Sequence, residues 1–283
     1  MSIDVLARRL SELSTKEGDI HLLSAAAEKA LASEFGMSRR DAQIAAVENR
    51  ILPARYQRSL GTVGWDGQIA LLRATCGIVG LGGLGGWIVE GLARMGVGWL
   101  ILIDGDRFAE NNLNRQALCW ESNLGEFKTT VAAERVRQIN PAVETTVHTL
   151  WADAESLPQL LSGSNVIVDA LDTLPTRMTL QKVAQGMGVP MVHGAIAGYI
   201  GQVMTIFPGD AGLFALYPEG KAPERGAETI WGNPAGTPMM IASWQIQEVV
   251  KVITGRGQPL RNRMLFLDAE QGVVEILKLG EES

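Results

Sequence analysis

Glycine residues between an apolar run and an amphipathic run mark the first place where this chain could carry out chemistry. Residues 80–86 read GLGGLGG and contain the pattern GxGxxG at Gly80, Gly82 and Gly85. Glycine lets the backbone turn tightly and approach phosphate or ribose, and a helix that begins here offers free N–H groups. Asp104, 22 residues beyond Gly82, can accept a hydrogen bond from a ribose hydroxyl. These residues predict a nucleotide site.

The residues that follow Asp104 favour a triphosphate over a nicotinamide dinucleotide. Asp106 comes two residues later, residues 112–116 read NLNRQ, and Lys128 stands where a helix is predicted to begin. Arginine, lysine and asparagine side chains neutralise and orient phosphate oxygens, and the helix dipole adds to the charge of Lys128. A nicotinamide-dependent dehydrogenase needs none of them, so it remains only as an alternative interpretation.

A single carboxylate, Asp172, follows the apolar run 165–170 (NVIVDA). In open α/β sheets, ligands bind beyond the carboxyl ends of the strands, which is where this side chain is expected. A lone carboxylate that faces a polyphosphate is a suitable ligand for Mg²⁺. Asp172 is therefore predicted to hold the magnesium ion of a bound nucleotide.

Short apolar runs alternate with helical patterns from about residue 55 onward. This rhythm predicts a Rossmann-like α/β fold, in which a mainly parallel sheet carries helices on both faces. Strands are predicted at 75–80, 99–104, 143–150, 165–170 and 190–193, and helices at 84–95, 128–140 and 176–187. The last third is predicted to add a mixed or antiparallel extension, with a strand at 201–207, a long loop at 208–237, a helix at 238–254 and a hairpin within 264–277.

Residues 1–54 are predicted to form a separate helical extension, and residues 55–283 the nucleotide-binding domain. Apolar residues at helical spacing from Ile3 to Leu13, and the stretch from about His21 to Phe35, predict two helices. Ser38 followed by Asp41 resembles a capping box and predicts a third helix. A DNA-reading helix-turn-helix is an alternative, but packing against the main domain or a partner is the favoured role.

Composition and charge argue against several classes of protein. The 283 residues are 46% hydrophobic and 20% charged, and the net charge of −6 argues against DNA or RNA as the main partner. The two cysteines and three histidines form no CxxC or HxxxH pattern, so no zinc site is expected. No signal peptide or membrane-spanning stretch is recognisable, and the protein is expected in the cytoplasm, away from membranes.

Taken in order, these motifs resemble the MoeB/ThiF/HesA family, whose members are relatives of the ubiquitin-activating adenylation domain. The resemblance extends over about residues 55–280. Its motifs are RYQR at 55–58, GQ at 67–68, the glycine segment 80–86, VG at 97–98, DGD at 104–106, NLNRQ at 112–116, Lys128, INP at 139–141, DALD at 169–172 and GQ at 201–202. The ordered combination is far more specific than GxGxxG alone.

The resemblance implies a reaction and a role for each matching residue. An adenylyltransferase of this family would use ATP and Mg²⁺ to activate the C-terminal carboxylate of a small ubiquitin-like sulfur-carrier protein that ends in Gly-Gly, and would work as a homodimer. The implied nucleotide-binding residues are Gly80, Gly82, Gly83, Asp104 at the ribose, Asp106, and Asn112, Arg115, Gln116 and Lys128 around the phosphates. The implied catalytic residues are Arg115, Lys128, Asp172 at Mg²⁺, and Arg58 from the neighbouring subunit.

The chain departs from many relatives in its cysteines. Residues 212–217, where relatives carry part of a zinc-binding set, contain none, and neither do residues 228–231, where some carry a cysteine for thioester or persulfide chemistry. Adenylation without zinc and without thioester transfer is therefore expected, and Cys119 and His193 are expected to be structural. A relative that activates a modified tRNA base and an inactive carrier-binding scaffold remain alternatives. The carrier's pathway also stays open among molybdenum cofactor, thiamine, cysteine and thiocarboxylate siderophore.

Overall fold

The computed structural model describes residues 3–217 and 228–279. The helices are α1 (Ile3–Leu13), α2 (Ala25–Phe35), α3 (Arg39–Glu48), α4 (Leu60–Arg73), α5 (Gly83–Met95), α6 (Lys128–Ile139), α7 (Leu157–Leu160), α8 (Leu174–Met187), α9 (Leu213–Leu216), α10 (Glu228–Trp231) and α11 (Gly236–Thr254). The strands are β1 (Thr15–Glu17), β2 (Ile20–Leu23), β3 (Ile51–Pro53), β4 (Thr75–Val79), β5 (Trp99–Ile103), β6 (Glu144–His148), β7 (Val166–Asp169), β8 (Met191–Ala197), β9 (Ile200–Ile206), β10 (Arg263–Asp268) and β11 (Val273–Lys278).

The centre of the fold is an eight-stranded sheet with the order β11-β10-β9-β8-β7-β4-β5-β6. The strands from β8 to β6 in this order pair in parallel, whereas β8, β9, β10 and β11 pair antiparallel in succession. β4 has β5 on one side and β7 on the other, so the strand order reverses there, and ligands bind at such a reversal. The predicted Rossmann-like fold with an antiparallel C-terminal extension is confirmed.

Two hydrophobic cores cover the two faces of the sheet, because its central strands are apolar throughout. On β4, Ile78 belongs to the core that includes Leu92 of α5 and Val249 of α11. Its neighbour Val79 belongs to the opposite core, with Leu180 of α8. Each such side chain contributes about 1.5–3 kcal/mol when it is fully buried. The packed strands therefore form a rigid base for the loops at the carboxyl edge.

The N-terminal module (residues 3–53) contains a small sheet that the sequence did not predict. β2 pairs antiparallel with β1 and parallel with β3. The predicted helix start near His21 is wrong, since His21 lies in β2 and α2 begins only after Ser24, whose side chain accepts the N–H of Ala27. The predicted cap at Ser38 is confirmed, because its hydroxyl accepts the N–H of Asp41 at 3.0 Å.

A buried chain of polar side chains joins the N-terminal module to the sheet domain. Gln43 of α3 donates to Glu28 at 2.8 Å and accepts a hydrogen bond from the Tyr56 hydroxyl at 2.8 Å. Asn140, at the end of α6, donates to that hydroxyl at 2.8 Å and to the carbonyl oxygen of Ala93 in α5 at 3.1 Å. Gln43, Tyr56 and Asn140 are wholly buried. The module is thus bonded to the C-terminal ends of two helices, and an independent domain boundary at residue 54 stays a prediction.

One buried carboxylate ties the C-terminal third together. Glu248 of α11 accepts hydrogen bonds from the Thr205 hydroxyl of β9 and from the backbone N–H of Leu260, the latter at 2.7 Å, and pairs with Lys251. The predicted strand, helix and hairpin of this region are confirmed as β9, α11 and β10–β11.

The predicted loop 208–237 contains α9 and α10, and its residues 218–227 lie outside the described residues. No helix in the described part of the chain is long and apolar enough to cross a bilayer.

Candidate nucleotide site

The glycine segment turns the chain from β4 into α5. Gly80 has φ = 92°, and a Cβ at this position would lie 2.5 Å from the carbonyl oxygen of Ala170. A Cβ on Gly85 would lie 1.9 Å from the carbonyl oxygen of Gly80. α5 begins at Gly83, and its N-cap residue is Gly82, which has no side chain to accept the first N–H groups of the helix. The first N–H groups of α5 can therefore donate to an anion.

Asp104 lies at the same edge of the sheet because β4 and β5 run parallel, with Val79 opposite Ile103. Its two carboxylate oxygens accept hydrogen bonds from the backbone N–H groups of Leu81 and Asp106, both at 2.7 Å. These bonds fix the carboxylate beside the glycine segment. Each oxygen keeps further acceptor capacity, which a ribose hydroxyl could use.

Lys128 is the first residue of α6, and its side chain is almost fully buried. Its Nζ lies 2.8 Å from the Oδ2 of Asp106, whose side chain is half exposed. The backbone N–H of Lys128 also donates to the carbonyl oxygen of Asp106 at 3.1 Å. A buried ammonium needs an anionic partner, so Asp106 fixes the ammonium group of Lys128 at the wall of the site.

The segment between β5 and α6 carries Arg115 and Gln116 into the same site. The Arg115 guanidinium donates to the carbonyl oxygen of Asn111 and to the side chain of Asn114, both at 2.8 Å. The Oε1 of Gln116 is buried and accepts no hydrogen bond from the described residues. An unsatisfied buried acceptor costs about 1–3 kcal/mol, which a donor on a ligand or a water could recover.

Asn112 has a different position, although it was predicted to bind phosphate. Its Oδ1 accepts the backbone N–H of Ala109 at 3.1 Å, and its Nδ2 donates to the side chain of Asn111 at 3.0 Å. The side chain is buried in the turn and does not line the cavity described below. Its contacts shape the turn that carries Arg115.

Asp172 lies on the loop after β7, exposed at the rim of the site. Its carboxylate makes no hydrogen bond or ion pair with residues 3–217 or 228–279. The same described ranges contain no group of three or more His, Cys, Asp and Glu side chains that could hold a metal alone. A free carboxylate beside a phosphate site fits Mg²⁺, which takes one or two protein oxygens and completes its shell with phosphate and water.

These groups face one cavity of about 660 Å³. The predicted residues that line it are Gly80, Gly82, Gly83, Asp104, Asp106, Arg115, Gln116, Lys128 and Asp172. Arg58 does not line it. It is exposed on the turn before α4 and makes no hydrogen bond or ion pair within the described part of the chain. The cavity of one chain is thus lined by all of the predicted site residues except Asn112 and Arg58, which was predicted to act from the neighbouring subunit.

The ThiF family model matches residues 56–283. The SAMP-activating enzyme E1 of Haloferax volcanii is 35% identical over 221 residues, which cover 76% of this chain and 81% of that protein. The chain belongs to the ThiF family. Other ThiF-related proteins are also similar: the sulfur carrier protein adenylyltransferase of Thermus thermophilus is 33% identical over 227 residues, covering 76% of this chain and 83% of that protein. The sulfur carrier protein ThiS adenylyltransferase of Escherichia coli is 30% identical over 218 residues, covering 75% of this chain and 86% of that protein.

The ThiF fold is also found in more distant solved structures. The crystal structure of E. coli MccB with MccA-N7isoASN aligns with a TM-score of 0.70 at 22% identity, covering 81% of this chain and 72% of that chain. The structure of E. coli MccB with ATP aligns with a TM-score of 0.67 at 21% identity, covering 90% of this chain and 83% of that chain. At this identity the likeness shows the fold alone.

Arg177 of α8 is a cation of this ThiF-family site that sequence reasoning missed. It is buried, it lines the cavity, and its Nη2 donates to the carbonyl oxygen of Leu171 at 2.6 Å. Its Nε makes no hydrogen bond, and no carboxylate of the described residues pairs with it. A permanent charge that is buried without a counterion is costly, so this wall of the cavity favours an anionic ligand.

Trp151 is the second residue that was missed. It follows β6, lines the cavity and keeps 76% of its surface exposed. Three atoms of its ring lie 2.8–2.9 Å from where a Cβ on Gly105 would stand, so the indole rests on the glycine next to Asp104. Any side chain at residue 105 would push it away. An aromatic ring beside the ribose acceptor can stack on a base.

A buried histidine–carboxylate pair supports the loop that carries Asp172. The Nδ1 of His193 lies 2.6 Å from the Oδ2 of Asp169, and both side chains are fully buried. The Oδ1 of Asp169 accepts the N–H of Leu171 at 3.0 Å. Burial lowers the pKa of His193 from its ordinary value of 6.5, Asp169 opposes this shift, and the charge of Arg177 adds to it. His193 is therefore neutral at physiological pH and does not line the cavity.

Proposed function

We propose that this ThiF-family chain is an ATP-dependent adenylyltransferase whose substrate is the C-terminal glycine carboxylate of a small ubiquitin-like sulfur-carrier protein. The observation that carries the proposal is the single cavity in which the open N-terminus of α5, Arg115, Lys128 and Asp172 meet. Similar proteins named as SAMP-activating enzyme and sulfur carrier protein adenylyltransferases support the class of substrate. A carrier that ends in Gly-Gly and a cytoplasmic location belong to the proposal.

The chemistry needs no nucleophile from the protein, because a carboxylate is already ionised at neutral pH. A carboxylate oxygen of the carrier forms a bond to the α-phosphorus of ATP. The bond from that phosphorus to the bridging oxygen breaks, and pyrophosphate leaves with the electron pair. The protein aligns the two anions and neutralises their charge, chiefly through Arg115 and Lys128. Burial raises the pKa of the Cys119 thiol, which fits a structural role for this cysteine.

Magnesium fits the site through Asp172, whose carboxylate is free to accept an ion that also binds phosphate oxygens. When bound, the ion would neutralise part of the polyphosphate charge. Asp104 would hold the ribose, and the N–H groups at Gly82 and Gly83 would face the phosphates.

A homodimer completes the proposal. Arg58 lies outside the cavity of its own chain and has no partner within the described residues, so its guanidinium is available to the phosphates in a second copy of the chain. Arginine suits this role because it stays charged and binds phosphate oxygens through two N–H groups at once.

The first experiment is ATP–pyrophosphate exchange with small carriers that end in Gly-Gly, and with the same carriers lacking the last glycine as a control. Lys128→Ala and Asp172→Ala should each lower exchange at least about 100-fold. Lys29→Ala, on the exposed side of α2, should not change it. Exchange that survives both site substitutions would refute the assignment, and exchange that needs tRNA instead of a carrier would refute the substrate.

The second experiment tests whether Arg58 acts in trans. Arg58→Ala and Lys128→Ala chains are each inactive as homodimers in this proposal. When they are co-expressed, a mixed dimer has one intact site, made of Lys128 from one chain and Arg58 from the other. Random assembly should restore about a quarter of the wild-type rate, since half of the dimers are mixed and each has one intact site. No recovery would mean that Arg58 does not serve the neighbouring subunit.

A further inference from the structure

The residues before Arg58 are anchored, one after another, while Arg58 itself is free. The Tyr56 hydroxyl donates to Gln43 of α3 at 2.8 Å. The Nε2 of Gln57 donates to the Oε1 of Glu17 in β1 at 2.9 Å. Both of these partners belong to the N-terminal module. Tyr56 is wholly buried, so the backbone two residues before Arg58 has a fixed position.

The sheet domain holds the same turn from the other side. Arg55 donates to the carbonyl oxygen of Ile139, the last residue of α6, at 3.0 Å. Asn140 donates to the Tyr56 hydroxyl at 2.8 Å. α6 is the helix that begins with Lys128, so the turn before Arg58 is bonded to the element that carries a predicted phosphate ligand.

A long arginine side chain acts in another subunit only if its backbone is held. Ordering such a side chain costs rotamer entropy, and a misplacement of about 1 Å can cost a factor of about 100 in rate. The N-terminal module supplies two of the hydrogen bonds that fix this turn. None of its residues lines the nucleotide cavity of the same chain.

We propose that the N-terminal module is a positioning element for Arg58: it holds residues 55–57 so that Arg58 projects toward the phosphates of ATP in the second copy of the chain. Gln43, Glu17, Tyr56 and Gln57 are the positioning residues. This inference rests on the proposed function, because it requires that Arg58 act across a homodimer.

The test uses the mixed dimer of Arg58→Ala and Lys128→Ala chains, and adds Gln57→Ala to only one of the two chains at a time. In the Lys128→Ala chain, which supplies Arg58, the substitution should lower pyrophosphate exchange about tenfold. In the Arg58→Ala chain, which supplies the ATP site, the same substitution should leave exchange within about twofold of its starting value. A general loss of folding would lower both dimers alike, so the asymmetry is a readout that a purely structural role does not produce. Tyr56→Phe is the second variant, with the same expected asymmetry.

Control variants show whether the effect of Gln57→Ala comes from the lost hydrogen bond to Glu17 or from the substitution alone. Glu17→Ala should reproduce the effect of Gln57→Ala, and the double variant should be no worse than either, because both remove one hydrogen bond. Gln159→Ala, an exposed glutamine on α7, should have no effect in either subunit.

Two failures can be told apart. If the unmodified pair of Arg58→Ala and Lys128→Ala chains shows no recovery, the trans role of Arg58 is wrong, and this inference falls with it. If that pair recovers, but Gln57→Ala and Tyr56→Phe have equal or no effects in the two subunits, the N-terminal module does not position Arg58 and the proposed function stands.

Discussion

The buried hydroxyl of Tyr56 allows a stability change to be worked out from the structure. Tyr56→Phe removes the group that donates to Gln43 and accepts from Asn140. Asn140 keeps a second acceptor, the carbonyl oxygen of Ala93, whereas the Oε1 of Gln43 has no other donor among the described residues. Water does not reach Gln43, since its side chain is wholly buried. The variant therefore leaves one buried acceptor unsatisfied.

An unsatisfied buried acceptor costs about 1–3 kcal/mol, so we expect Tyr56→Phe to lower the free energy of unfolding by about 2 kcal/mol. The assay is urea denaturation, with the midpoint falling at an unchanged m-value. Tyr199→Phe is the matched control, because that tyrosine is exposed and its hydroxyl makes no hydrogen bond with the described residues. We expect its change to stay within about 0.5 kcal/mol. Equal changes in the two variants would refute the reasoning.

Three further outcomes are expected. Trp151→Ala should weaken ATP binding about 5- to 150-fold, the value of one stacked base, and leave inorganic tripolyphosphate binding unchanged in calorimetry; Trp120→Ala is the control, and equal losses for both ligands would contradict stacking. Arg177→Gln should lower pyrophosphate exchange about tenfold or more at nearly unchanged stability, because a lost hydrogen bond is offset by removal of an unpaired buried charge; a large stability loss with normal exchange would contradict this. The contribution of neutral His193 to the free energy of unfolding should be fully present above pH 6.5, the ordinary pKa of histidine, and should be lost as the pH drops below it, because histidine in the unfolded chain takes up a proton before buried His193 does. A His193→Gln variant whose free energy of unfolding falls as steeply between about pH 5 and 7 would refute that cause.

Local spacing was enough to predict much of the fold and most of the candidate site. The segment 80–86, Asp104 and Lys128 each come directly after a strand or at a helix start, so their neighbours along the chain predict where they lie. Parallel pairing then brings strand ends to one edge of the sheet, which explains why Asp172 faces the same cavity. These features follow from periodicity and topology rules.

Other features depend on packing that no local pattern records. The sequence predicts a helix from about His21, but His21 lies in β2, because pairing with β1 and β3 decides the conformation of this segment and the helix begins only after Ser24. The sequence predicts that Asn112 binds phosphate, whereas its Oδ1 accepts the backbone N–H of Ala109 within the turn. Arg177 and Trp151 were missed, since a lone arginine on a helix and a tryptophan in a loop are ordinary surface residues until tertiary contacts bury or place them.

The junction around Glu248 has a consequence for where this protein could work. A single carboxylate joins β9, α11 and the segment before β10. The groups that meet there are a carboxylate, a hydroxyl, an ammonium and a backbone N–H, and none of them carries a sulfur atom that an oxidant could attack. The contacts at this junction should therefore persist under oxidising conditions that dismantle a cysteine–metal cluster.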